Sequence, residues 1–108
     1  MKPNEENHRD LLETQVRNAA NSIPSGRVAN YGALGARCEP PISGYICGRV
    51  MNSLDGVPWW RIVAKDGSLS IAKRNPQLAR EQRELLETEG VEFDGAGRVE
   101  MERFLMDW

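Results

Sequence analysis

The sequence has no run of 18 or more apolar residues, so it offers no candidate for a membrane-spanning helix. Its first stretch, Met1 to Asp10, is polar and lacks the apolar centre of a secretion signal, so cytoplasmic residence is the default expectation. Histidine occurs once, as His8, within that polar lead. The two cysteines, Cys38 and Cys47, are not in CxxC spacing and have no histidine near them. So sparse a set of ligands gives no reason to expect a metal centre or a structural disulfide, and no cofactor is expected. Neither an internal repeat nor a long linker interrupts the 108 residues, of which 40% are hydrophobic and 28% charged. That composition suits one domain over residues 1–108, built on a single core.

Positive charge is also short overall, with a net of −2, which argues at first sight against a nucleic-acid partner. Its distribution changes the reading. Between Gly26 and Arg74 stand Arg27, Arg37, Arg49, Arg61, Lys65, Lys73 and Arg74 against Glu39, Asp55 and Asp66, a local net of +4. The remainder carries seven basic and thirteen acidic residues, a net of −6. A positive middle between acidic ends suits phosphate contact on one face and solvation on the other. Chance scatter of charge is the plain alternative.

Residues Arg9 to Ser22 place Leu11, Leu12, Val16, Ala19 and Ala20 at steps of three and four, the pattern of an amphipathic helix. Ile23-Pro24-Ser25-Gly26 ends it. A short extended stretch, Arg27 to Ala29, precedes Asn30, which can cap a brief helix from Tyr31 to about Arg37. After the rigid turn Glu39-Pro40-Pro41-Ile42, Ser43 can cap a second helix to about Leu54. Two short helices across a tight turn form a helix-turn-helix pattern, whose second helix usually enters a groove of DNA. Farther on, Arg61 to Ala64 and Leu69 to Ala72 flank an Asp66-Gly67 turn and are expected to pair as a hairpin. Asn75-Pro76 starts a helix that runs to Glu89 and stops at Gly90, burying Leu78, Leu85, Leu86 and the stem of Gln82. Val91 to Phe93 and Arg98 to Met101 suggest a small hairpin, after which Phe104 to Trp108 folds back onto the body. The expected class is mainly α with small β elements, a winged helix-turn-helix domain.

The most informative stretch is Val57-Pro58-Trp59-Trp60-Arg61-Ile62-Val63. It resembles the active-site motif Pro-Cys-His-Arg-Val of the O6-alkylguanine-DNA alkyltransferases, with Trp59 in the cysteine position and Trp60 in the histidine position. Ile23 to Gly32 is similar to that family's Ile-Pro-x-Gly-x-Val-x-Thr-Tyr-Gly segment, and Gly48-Arg49-Val50-Met51 to its Gly-x-Ala-Met. Glu81-Gln82 through Glu89-Gly90-Val91 resembles its closing helix. The resemblance runs from about residue 10 to the end, and it points to the alkyltransferase-like proteins, in which tryptophan commonly replaces the acceptor cysteine. Alkyl transfer needs a thiolate and a base to generate it. An indole has one N–H donor and no ionisable nucleophile, so no enzyme activity is expected. It does offer a wide apolar face for a purine.

The resemblance implies minor-groove binding of double-stranded DNA and extrusion of an O6-alkylguanine into a pocket. It implies that Tyr31 packs near the base, that Trp59 forms the pocket floor and Met51 its wall, and that the backbone at Trp59 and Ile62 meets the base edge. Arg74, or else Lys73, would stack on the flipped base. Ser43, Tyr45, Arg49 and Lys73 would contact the DNA around it. Tyr45 stands where the family usually has an intercalating arginine, and an aromatic wedge can serve there without the charge. Leu54 stands where true alkyltransferases have a pocket asparagine. Glu89 matches the carboxylate that orients the missing histidine and is expected to act here as a helix-end or hydrogen-bonding residue. Arg61 is expected to make a structural salt bridge or a phosphate contact. By analogy with the family, the protein would be a monomer that hands lesions to nucleotide excision repair proteins. The competing reading is a sequence-specific winged-helix regulator whose two tryptophans are ordinary core. A displaced alkyl acceptor at Cys47 is a third, weaker one, since that position faces the core with no base beside it.

Overall fold

The computed structural model describes the backbone of residues 3–108 and the side chains from His8 onward. Helix α1 spans Pro3–Asn21, so His8 belongs to a helix that starts earlier than the apolar pattern suggested. Only Met1 and Lys2 of the expected polar lead lie outside the described residues. Val16, Ala19 and Ala20 form the buried stripe of α1, and Ile23 continues it past the helix end. Strand β1, Ala29–Asn30, leads directly into helix α2, Tyr31–Ala36. Asn30 caps that helix as expected, accepting the Ala33 N–H at 2.8 Å.

Helix α3 covers Gly44–Met51 behind the Ser43 cap. It stops three residues short of Leu54, because the Asn52 and Ser53 N–H groups close the last turn onto Gly48 and Val50. The α2–α3 pair is tight. A Cβ on Gly35 would collide with the Ile42 carbonyl, so only glycine lets the turn pass this close to α2.

The two tryptophans lie in a single 3-10 turn, Trp59–Arg61, which feeds strand β2, Ile62–Val63. Strands β1 and β2 pair in parallel, Ala29 with Ile62 and Asn30 with Val63. Alternation along extended backbone splits the core in two. Ala29 and Ile62 join α1, α2 and α3 in one apolar cluster, whereas Val28 and Val63 join Leu86, Val91, Val99 and Phe104 in the other.

The hairpin expected over residues 61–72 does not form. Ala64 and Ser68 share one backbone hydrogen bond of 3.0 Å, and the chain then enters a 3-10 turn, Ser70–Lys73. Gly67 explains the departure. At φ +88°, its own carbonyl accepts the Val99 N–H at 2.9 Å, and a Cβ would lie 2.6 Å from the Val99 carbonyl. The turn is therefore spent on docking to the C-terminal segment instead of on pairing residues 69–72.

Helix α4, Pro76–Thr88, is capped by Asn75 and has proline in its first turn. It buries Ala79, Gln82 and Leu86, while Leu78 and Leu85 are half-buried. Phe93 and Val99 form a single antiparallel bridge, the small hairpin expected there. Helix α5, Met101–Phe104, follows. The end of the chain folds back as expected: Val28 donates to Phe104 O at 2.9 Å and accepts from Met106 N at 2.7 Å. The result is a mainly helical domain with a two-stranded sheet and a helix-turn-helix. Among the described residues no helix is long and apolar enough to cross a membrane.

Candidate nucleic-acid interface

The 3-10 turn sends the two indoles in different directions, because residues adjacent in sequence cannot both face one side. Trp59 packs against the α1–α2–α3 cluster and Trp60 against the α4 cluster. Their rings meet edge to face, with centroids 6.2 Å apart and planes at 89°.

Trp60 is a packing residue held by a clamp. Its Nε1–H donates to Glu89 at 2.9 Å. The same carboxylate accepts Arg61 Nε at 3.0 Å and Nη2 at 2.7 Å, and the Gly26 N–H at 3.1 Å. Arg61 Nη1 reaches on to the Ile23 carbonyl at 2.9 Å. Burial pushes the Glu89 pKa up, but the donors from Arg61, Trp60 and Gly26 outweigh it and hold the carboxyl below its usual value. Glu89 is thus the hydrogen-bonding residue expected, and Arg61 a structural ion pair.

Both tryptophans edge a shallow surface depression beside Pro58, and Trp59 also borders a second, more enclosed space. A cavity of about 360 Å³ is lined by Tyr31, Met51, Leu54, Trp59, Ile62 and Arg74. All five residues assigned to a pocket by resemblance therefore lie on one cavity, within the size range of small-molecule sites, roughly 300–1,000 Å³. Asn52, Ser70, Ile71, Leu78, Glu81 and Gln82 complete the lining. Helical periodicity places Leu78 and Gln82 only on a buried stripe. Their i, i+4 spacing with Glu81 between them was the available signal, but helical periodicity does not separate a core face from a cavity wall.

A groove of about 290 Å³ continues along α3, sharing Tyr31, Asn52, Ser70 and Arg74 with the cavity and adding Tyr45 and Arg49. Tyr45 is 75% exposed, and the Arg49 guanidinium lies 6.0 Å from its ring centre. Ser43 sits at the start of α3, its hydroxyl accepting the Ile46 N–H at 3.2 Å. Lys73 is exposed at the end of the 3-10 turn but lies outside both linings, whereas Arg74 lies on both.

The arginines of the positive middle segment are divided among separate tasks. Arg61 is consumed by Glu89, Arg37 stacks 4.9 Å over Trp108, and Arg27 turns to the Gly26 and Arg103 carbonyls. Of the seven, only Arg49 and Arg74 line the groove. The backbone N–H groups of Trp59 and Ile62 donate to Val57 O and Trp59 O, so what the backbone there can offer a base edge is its carbonyl oxygens.

Tyr31 lies against Gly48, where a Cβ would sit 3.7 Å from its ring. Burial raises the Tyr31 phenol above its ordinary pKa, with Cys47 adding to the rise and Arg74 opposing it, so it enters the site as a neutral donor. Cys47 is fully buried, and its thiol is pushed up to about 11 by burial and by Cys38. A protonated thiol sealed in the core is a small hydrophobe and not an alkyl acceptor. Among the described residues no group of three metal-ligating side chains occurs.

Fold and site together define a helix-turn-helix domain with an indole-walled cavity opening beside its second helix. The family described as "6-O-methylguanine DNA methyltransferase, DNA binding domain" matches residues 12–91. The chain belongs to that family. It is 31% identical over 98 residues to the DNA base-flipping protein of Escherichia coli (strain K12), covering 88% of this chain and 74% of that one. It is 33% identical over 88 residues to alkyltransferase-like protein 1 of Schizosaccharomyces pombe, covering 78% of this chain and 80% of that one. Among solved structures, S. pombe Atl1 in complex with damaged DNA containing O6-carboxymethylguanine superposes with a TM-score of 0.76 at 28% identity, covering 92% of this chain and 97% of that one. The alkyltransferase-like resemblance seen in the sequence is therefore shown.

Proposed function

We propose that this protein is a non-enzymatic sensor that binds O6-alkylguanine in duplex DNA by turning the base into the Trp59 cavity. The observation that carries the reading is the convergence of Tyr31, Met51, Trp59, Ile62 and Arg74 on one cavity that runs into the groove along α3. Extruding a base costs a few kcal/mol, and less when the base is damaged and poorly paired. Stacking on an aromatic face returns roughly 1–3 kcal/mol. A guanidinium over the other face, here Arg74, adds about 0.5–2 kcal/mol. These terms are close enough to balance that weakened pairing at the lesion decides whether the base stays out. Tyr45 fills the vacated stack as a wedge, and Arg49, Lys73 and Ser43 meet the flanking backbone.

Nothing at positions 59 and 60 can accept an alkyl group or activate an acceptor, so the bound lesion persists. Persistence suits a marker that passes the site to nucleotide excision repair, with the protein acting as a cytoplasmic monomer. Relatives named for base flipping, and one solved with O6-carboxymethylguanine in its DNA, support this reading. The sequence-specific regulator fits less well, because it needs both tryptophans as ordinary core and Trp59, although packed against one cluster, also lines the cavity. Titration of the protein against a duplex with one O6-methylguanine and against its unmodified twin tests the proposal. Equal affinities would sink it.

A further inference from the structure

Helix α3 has two flanks, and only one of them opens toward the Trp59 cavity. On the other flank a second groove, of about 500 Å³, runs between α3 and the first half of α1. Tyr45, Ile46 and Arg49 form its wall on α3, and His8, Arg9 and Leu12 its wall on α1. Tyr45 and Arg49 also line the groove that leads to the cavity, so they form a ridge with a groove on either side. His8, Arg9, Ile46 and Arg49 are exposed, and Glu13, half-buried, is the one carboxylate among the described residues of the lining. His8 and Arg9 stand ahead of residues 12–91, the segment that matches the family, on the part of α1 that begins at Pro3.

We infer that this second groove is a binding site for the sugar-phosphate backbone of the strand opposite the lesion, with Arg9 and Arg49 on its phosphates and Leu12 and Ile46 against its sugars. The inference rests on the reading of α3 as the helix that enters the duplex, and it extends that reading from one strand to both. Either groove of a duplex is walled by its two strands, so a helix seated in one has a strand along each flank. The flank that opens onto the cavity receives the strand whose base is extruded, which leaves the other flank to its complement. The lining suits that occupant. Deoxyribose presents C–H surface between phosphates, which apolar side chains cover, while guanidinium groups at the rim meet the phosphate oxygens. Two arginines and a histidine against one carboxylate give the rim the sign of charge that a phosphate backbone needs. A partner protein would also cover the apolar side chains, but the shared ridge of Tyr45 and Arg49 sets this groove against the duplex, where a strand already lies.

The test uses the full chain, a duplex with one O6-methylguanine, and its unmodified twin. Single phosphates of each strand are replaced in turn by neutral methylphosphonates. Wild-type protein should lose about 2- to 5-fold in affinity at one or two positions of the opposite strand, the worth of an exposed ion pair. Arg9→Ala should weaken both duplexes by a similar factor and lower the slope of log affinity against log salt by about 0.9. It should also become insensitive to an opposite-strand methylphosphonate that weakens the wild type. No loss at any opposite-strand position, or the same losses in wild type and Arg9→Ala, overturns the inference. Coupling of Arg9 to a phosphate of the lesion strand overturns it too. Unchanged affinity of Arg9→Ala on both duplexes would leave the groove to a protein partner, and the inference falls. If the methylated duplex is not preferred but Arg9 couples to the opposite strand, the sensor reading fails and the second groove stands. If it is preferred and that coupling is missing, the sensor reading stands and only the second groove falls.

Discussion

Replacing Glu89 with Ala should be among the most damaging single changes outside the apolar core. The carboxylate accepts from Trp60 Nε1, from two nitrogens of Arg61 and from the Gly26 N–H, and it ties α4 to the 3-10 turn and to the Gly26 turn that follows α1. Its side chain is 13% exposed and that of Arg61 17%, so neither is well rescued by water. Removing one member of such a pair leaves the other charge poorly compensated, and a fully buried pair broken in this way loses about 3–5 kcal/mol. Residual exposure lowers that figure, while the stranded indole N–H raises it, so about 3 kcal/mol is expected. At about 4 °C per kcal/mol for a domain of this size, thermal melting should fall by about 12 °C. Glu89→Gln, which keeps an acceptor but not the charge, should fall by less.

The same residue predicts a pH dependence. Its folded pKa lies below the usual 4.5, so the unfolded chain takes up the proton first as pH falls. Stability from this group is therefore complete above about pH 4.5 and is lost as pH drops through the folded pKa. Part of the acid-side decline should be missing in Glu89→Gln. Melting of Glu89→Ala within 2 °C of wild type would refute the clamp.

Trp59→Ala should weaken binding to alkylated DNA more than to unmodified DNA, and equal losses on both would mean that the ring only supports the fold. Arg74→Ala should cost about 3- to 30-fold on the lesion, the range of a cation–π contact. Lys73→Ala, which alters a residue outside the cavity, should weaken both duplexes alike; the reverse pattern would exchange the two roles. Trp59→Cys should give no efficient methyl transfer, since Trp60 supplies no base, and rapid uptake of a labelled methyl group would contradict this.

Short-range signals specify the main helices and their caps. Asn30, Ser43 and Asn75 each accept an N–H three residues on, a contact set by spacing alone. The family motif also gave the five side chains on the cavity. What escaped depends on contacts distant in sequence. The parallel pairing of Ala29–Asn30 with Ile62–Val63 joins segments 33 residues apart, and neither strand is long enough to show alternation. The expected hairpin failed because the Gly67 turn docks to Val99, which the Asp66-Gly67 pair cannot foretell. The basic middle segment was legible as a count but not as a surface, since Glu89, Trp108 and backbone carbonyls divide its arginines among separate tasks. Gln82 reads as a buried stem because burial and cavity lining leave the same mark on a helical pattern.

The most direct measurement is an equilibrium titration of the wild-type chain with two duplexes identical except for a methyl group on one guanine oxygen, at fixed salt. An indole-walled cavity that holds the extruded base should bind the methylated duplex at least about tenfold more tightly, equivalent to about 1.4 kcal/mol and within the range of one stacking contact. Indistinguishable curves for the two duplexes would contradict the account.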